Sequence, residues 1–273
     1  MLVKIQQTKS NFENIFEVSS NGQVLFNAKA PWLKISAPFN MENVRKLVFS
    51  DVNGTILYTT GYNIIDNALE ESIPFKYLIS KEQKFGQFEI IGKDGKEGTF
   101  YTMQNGMFER KFCIEHMGKV YWGYSIDKGK KNIVSIYDED TQIAQITKPL
   151  TVIENLDIYF LHIKEDFASL IPVLSFFTVY YDYRKYNNAG EFTKNSVEIS
   201  VSYSYDKNNS KYNPNWIAEE FGQQTFDELN AFLDNLEAEG RAQAKRIGKL
   251  VALSFLIIFI IALIILFIVF VLL

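Results

Sequence analysis

The chain has 273 residues, with 28 Lys plus Arg against 32 Asp plus Glu, a formal net charge of -4 and one cysteine, Cys113. No strongly basic domain is available to neutralise a phosphate backbone, which sets nucleic acid aside as a partner. A single thiol excludes an internal disulfide framework and a multi-cysteine zinc site, and it suits a reducing compartment. Aromatic residues make up 15%, with 23 Phe and 15 Tyr against 6 Pro, a strand-forming composition in a chain long enough to enclose a real core.

In the first thirty residues Asn11, Glu13, Asn14 and Glu17 interrupt any apolar run, so a cleaved signal peptide is not expected. Hairpins dominate from there to about residue 160. Phe16 to Ser19 and Gln23 to Asn27 flank Asn21-Gly22, a pair suited to the two positive φ angles of a tight turn. Lys46 to Ser50 and Thr55 to Thr59 enclose Val52-Asn53-Gly54, and Gly86 to Ile91 and Thr99 to Met103 enclose Lys93-Asp94-Gly95-Lys96. Phe108 to Glu115 and Val120 to Ile126 meet at Met117-Gly118. Asn132 to Tyr137 and Gln142 to Thr147 meet at the acidic turn from Asp138 to Thr141, and Leu156 to Ile163 adds a strand. At least eleven strands without an intervening helix imply an antiparallel barrel or sandwich, because a parallel sheet needs crossover helices.

Phe167 to Tyr181 differs in character. Its fifteen uncharged residues open after Glu165 and Asp166 and close on Asp182, Arg184 and Lys185, an order that complements a helix dipole. The segment reads either as a helix buried on every side, with Pro172 near its start, or as a buried strand pair. It is too short to cross a bilayer. Further strands are expected from Ser196 to Tyr205. From Gln223 to Gly248, Phe226, Leu229, Leu233 and Leu236 form the stripe of an amphipathic helix whose other face carries Asp227, Glu228, Asp234, Glu237 and Glu239. That stripe suits self-association, docking on a partner or packing against the barrel, and Gly240 and Gly248 are candidate hinges.

Leu250 to Leu273 is an apolar run broken only by Ser254, about 36 Å long as a helix, enough for one membrane span. With Leu273 last, all residues before 249 are expected on one side. Arg241, Lys245, Arg246 and Lys249 place that side in the cytoplasm by the loop-charge rule, and they suit attraction to anionic headgroups. The expected organisation is a β domain over 1–216 with a central helix near 165–185, an amphipathic stalk over 217–248 and a single C-terminal anchor over 249–273 at the cell membrane.

Three phrases carry a family resemblance: GQVLFNAKAPWL near the start, then YSIDKGKKNIVSIYDEDTQIAQITK, then LIPVLSFFTVYYDYRKYN. Over residues 12 to about 216 the chain resembles the tubby C-terminal-like superfamily, which includes LURP-one-related proteins and phospholipid scramblases. The resemblance implies a closed barrel of about twelve antiparallel strands around one hydrophobic helix. It also implies noncatalytic recognition of phospholipid headgroups, or of a membrane protein partner, with scramblase-like lipid transport as the alternative. Against the scramblase pattern, the chain lacks a cysteine cluster, a proline-rich leader and a credible calcium loop. Candidate headgroup residues are Lys128, Lys130 and Lys131 in DKGKKN, with Arg110 and Lys111 on a neighbouring hairpin.

Leu47 to Leu57, LVFSDVNGTIL, is similar to the opening motif of haloacid-dehalogenase phosphotransferases, with Asp51 as the nucleophile. Asn53 then stands where a general acid is needed, hairpins follow where helices are required, and Asp-x-Asn-Gly is an ordinary turn. Cys113 and His116 lie three apart on a strand and point to opposite faces. Asp138-Glu139-Asp140 is a poor calcium cage. No enzyme activity, cofactor or metal is expected.

Overall fold

The computed structural model describes residues 1–10, 13–31, 46–62, 82–106, 109–154, 156–186, 197–199 and 206–272. Its strands are β1 (Leu2–Ser10), β2 (Glu13–Ser20), β3 (Gln23–Pro31), β4 (Val48–Asp51), β5 (Ile56–Gly61), β6 (Gln83–Gly92) and β7 (Gly95–Asn105). These are followed by β8 (Glu109–His116), β9 (Lys119–Lys128), β10 (Lys131–Asp138), β11 (Thr141–Pro149), β12 (Thr151–Ile153), β13 (Ile158–Ile163) and β14 (Val197–Ile199). Twelve of them close an antiparallel barrel in the order β1, β13, β11, β10, β9, β8, β7, β6, β5, β4, β3, β2, while β12 and β14 pair separately. Closure leaves the barrel no free strand edge.

The expected turns sit where the Asn, Asp and Gly residues place them. Asn21 (φ 50°) and Gly22 (φ 77°) join β2 to β3, and Met117 (φ 50°) and Gly118 (φ 76°) join β8 to β9. Along β1 and β2, burial alternates with the period of two, so Val3, Ile5, Phe16 and Val18 point inward. By contrast β10 and β11 are buried almost without interruption. Their outer faces are covered too: Tyr124, Ile126 and Tyr137 pack with Trp122 and Tyr212 outside the barrel wall.

The barrel is filled by α1 (Ile171–Lys185), which a 3-10 turn at Glu165–Leu170 leads into. Of the two readings open for this segment the helix is the one found, starting four residues later than expected because Pro172 sits in its first turn, where a missing N–H costs nothing. Phe176 stacks among Phe49, Tyr58 and Phe100, and Phe177 among Phe100 and Phe112. Val173, Leu174, Phe176, Phe177, Val179, Tyr180 and Tyr181 are all at most 1% exposed. Arg184 and Lys185 occupy the last turn, where cations offset the carbonyl end of the dipole.

Outside the wall, α2 (Trp216–Phe221) and α3 (Gln223–Leu272) follow. Leu229 and Leu233 are buried with Phe160, Trp216 and Ile217, so the amphipathic stripe packs against the barrel. The helix is continuous through Gly240 and Gly248, the two candidate hinges, since helical hydrogen bonding on both sides tolerates an isolated glycine. Of the strands expected from Ser196 to Tyr205 only β14 is described, and residues 200–205 lie outside the described set.

Among the described residues, no helix is long and apolar enough to cross a membrane, so the span expected over 249–273 is not carried by them. The described side chains of α3 end at Ala262.

Candidate functional site

Alternate strand connections gather at opposite ends of the barrel. One end carries the β2–β3, β4–β5, β6–β7, β8–β9 and β10–β11 turns. The other carries the β7–β8 and β9–β10 turns together with the last turn of α1. The basic candidates cluster at this second end, but they do not form one patch.

Arg110, at the start of β8, faces a cavity of about 320 Å³ that is also lined by Arg184 and Lys185 from α1, Ser125, Thr102 and Asn208. Each cation is placed by its surroundings. Gly86 has φ +55°, and a Cβ there would stand 2.4 Å from the Arg184 guanidinium carbon, so the missing side chain is what lets Arg184 lie across the backbone. The Tyr180 hydroxyl donates to the carbonyl of the same Gly86 at 2.9 Å. Lys185 Nζ donates to Ser125 Oγ at 3.1 Å and to the Tyr181 hydroxyl at 3.0 Å. The buried Asn208 amide donates to the carbonyls of Arg110 (2.8 Å) and Ser125 (3.1 Å), tying the 3-10 turn at Asp206–Lys211 to the cavity wall. Phe112 supplies the apolar floor, and none of the described lining residues is a carboxylate. Three half-buried cations with hydroxyl and amide neighbours make a site complementary to an anion.

The other candidates have other partners. Lys111 sits 3.9 Å from the Trp122 ring centroid and 3.9 Å from Glu109. Lys128 lies over Tyr212 at 5.5 Å. Lys130 is held by α3, 2.8 Å from Asp234 and 2.7 Å from Glu237, and Lys131 Nζ donates to Asn230 Oδ1 at 3.2 Å. Arg241, Lys245, Arg246 and Lys249 are exposed along α3, with Arg241 also paired to Glu237.

A second polar cluster lies buried at the same end. Lys148 (1% exposed) pairs with Asp157 at 2.5 Å, and Tyr159 donates to Asp182 at 2.6 Å. Burial, followed by the nearby Asp157 carboxylate, holds Asp182 well above the ordinary carboxyl range. This network fastens the last turn of α1 to β11 and β13.

The residues weighed for catalysis are occupied structurally. The Asp51 carboxylate accepts the N–H groups of Asn53 (2.9 Å) and Thr55 (2.8 Å), and these bonds, Thr55 first, lower its pKa. That is the local bonding of an Asx turn. Cys113 packs with Tyr101 and Met103, where burial pushes the thiol up to about 11, and His116 turns instead to Glu97 at 3.5 Å. Among the described residues no group of three or more His, Cys, Asp or Glu could hold a metal ion.

No family model, curated protein or solved structure matches this chain. Of the cavity cations, Arg110 was visible as a headgroup candidate and Arg184 and Lys185 only as dipole partners of a helix. Their convergence follows from threading that helix through the barrel, which no local pattern encodes. Asn208 carried no signal at all.

Proposed function

We propose that this protein is a noncatalytic, tail-anchored module of the tubby-like kind, whose cytoplasmic barrel binds phosphorylated lipid headgroups in the Arg110–Arg184–Lys185 cavity. The observation that carries the reading is the direction of α3. Its early part lies beside the far end of the barrel, where Lys164 pairs with Glu220 of α2 (2.6 Å) and Phe221 packs on His162. Phe232 meets Phe160 midway, and Glu237 reaches Lys130 at the cavity end. The helix thus leaves the barrel past the end that holds the three cations.

Leu250 follows Glu237 by about 13 residues, or ~20 Å of helix. From Leu250 onward the described residues other than Ser254 are apolar and exposed, among them Phe255 at 68% and Ile258 at 62%. A helix of that kind needs an apolar surround, and the sequence continues the run to Leu273. A bilayer entered there would face the cavity mouth, with Arg241, Lys245, Arg246 and Lys249 at its cytoplasmic surface. A barrel of twelve antiparallel strands closed around an apolar helix supports the tubby-like reading. The cavity, near the lower limit of ligand-pocket volumes, suits a headgroup in preference to a whole lipid.

The test uses the full chain in detergent, titrated with water-soluble phosphorylated headgroups and with the matching uncharged polyol. Binding of the phosphorylated form alone is expected. Arg110→Ala or Arg184→Ala should weaken it by about tenfold or more, the weight of one charge-assisted contact. Equal binding of charged and uncharged forms would remove the headgroup reading.

A further inference from the structure

The basic turn between β9 and β10 is covered by the chain's own acidic residues, and the cover belongs to the helix that leads toward the apolar segment. Lys128, Lys130 and Lys131 face Asn230, Leu233 and Asp234 of α3 across a cleft of about 180 Å³. One ammonium, Lys130, serves two carboxylates, at 2.8 Å to Asp234 and 2.7 Å to Glu237, while Glu237 also pairs with Arg241. Hydrogen bonds and charge from these carboxylates raise the Lys130 pKa, and Lys130 together with Arg241 lowers that of Glu237.

We propose that the Lys128–Lys131 turn is a second anionic-lipid contact, closed by the Asp234–Glu237 stretch of α3 and opened when a negatively charged bilayer takes that stretch's place.

Three observations support this assignment. The Lys130–Asp234 pair is exposed, 49% for the Lys130 side chain and 64% for that of Asp234 against 20% for Glu237, so this pairing is weakened by solvent and is within reach of competition from an anionic surface. The closing residues lie just beyond Leu233, the last α3 side chain buried in the cluster on Phe160 and Trp216. Leu236 lies beside β12 and Gly240 is buried further along, so lifting from this point releases those contacts while the first turns of α3 stay docked. The turn also stands at the barrel end past which α3 exits, beside the cavity, so opening tilts the barrel toward the surface its lysines would touch. The inference rests on the anchored reading above, but it concerns a different set of cations from the cavity.

The experiment places fluorophores on Asp94→Cys, at the far end of the barrel, and on Glu239→Cys of α3, in the full chain reconstituted into nanodiscs. Cys113 is fully buried and does not compete for label. In phosphatidylcholine discs one distance population is expected. In discs with about a third phosphatidylserine a second, longer population should appear and should shrink again at high salt. Asp234→Asn with Glu237→Gln should show the longer population already in neutral discs, and Lys130→Met should do the same without changing the α3 carboxylates. A chain that co-elutes with discs but keeps one distance in both lipids overturns the covered contact and leaves the anchored reading standing. Failure to co-elute overturns the anchored reading and the contact with it. Variants that match the parent in neutral discs overturn the role of these ion pairs.

Discussion

Single residues in this barrel are set mainly by what burial does to their polar atoms. His162 on β13 is 1% exposed, has no hydrogen-bond partner on either ring nitrogen among the described residues, and packs edge-on to Phe221 at 5.4 Å. Burial lowers its pKa to about 4, with smaller contributions from the N-terminal ammonium and Lys131, so the ring is neutral in the folded state at pH 7. The folded pKa lies below the unfolded value of 6.5, so between the two the unfolded chain binds the proton more readily. Stability from this group is therefore complete above pH 6.5 and falls as the pH drops toward 4, by roughly 3 kcal/mol at the low end. His162→Phe keeps the contact with Phe221 and removes the titration. Denaturant unfolding of both proteins in the same detergent should show the variant gaining roughly 2 kcal/mol on the parent between pH 7.5 and pH 4.5. Parallel curves would mean the ring is not held neutral.

Among the elements, α3 shows how one helix serves two surroundings. Its first part docks through Leu229 (6% exposed) and Leu233 (4%), and truncating Leu233 to Ala removes a buried side chain from the small cluster that fixes it. The expected cost is about 2–3 kcal/mol, measured as a fall in the unfolding midpoint, with faster tryptic cleavage at Lys245. Asn235→Ala, on the exposed side of the same turn, should stay within about 0.5 kcal/mol of the parent. The Leu229–Leu233 stripe was legible because a 3.6-residue period is a local property of sequence, and so were the hairpins, whose Asn-Gly and Asp-Gly pairs fix backbone angles directly. What the stripe packs on was not legible, since Phe160, Trp216 and Ile217 are brought together only by the closed sheet. For the same reason α1 could be placed to within four residues, while its threading through the barrel, and hence the meeting of Arg110 with Arg184 and Lys185, depended on contacts more than seventy residues apart. The network of Lys148, Asp157 and Asp182 was not legible, because Lys148 in a strand normally signals an outward face and Asp182 read only as the end of an apolar segment, whereas here both are paired inside.

At the scale of the molecule, Phe176, Phe177 and Tyr180 of α1 fill the lumen among the described residues, which turns recognition to an end or a wall of the barrel. The two ends differ. One carries the cavity cations and the Lys128–Lys131 turn, and the other presents hairpin tips with exposed Val52, Ile56 and Met117. Strands of up to 11 residues, at ~3.3 Å each, separate the ends by roughly 30 Å once strand tilt is allowed for. If α3 enters a bilayer near Leu250, the cationic end stands about 20 Å from the start of the span and the hairpin tips lie a barrel's length further out. This arrangement is measured with one label at a time on the full chain in nanodiscs. Lys207→Cys, beside Glu109 at the cavity end, and Asp94→Cys, in the β6–β7 turn, each carry a fluorophore against lipids with a headgroup nitroxide. The Lys207 label should be quenched more than the Asp94 label. Equal quenching would lay the barrel on its side, and the reverse order would turn the cavity away from the membrane, so either result would remove the geometric ground for headgroup binding.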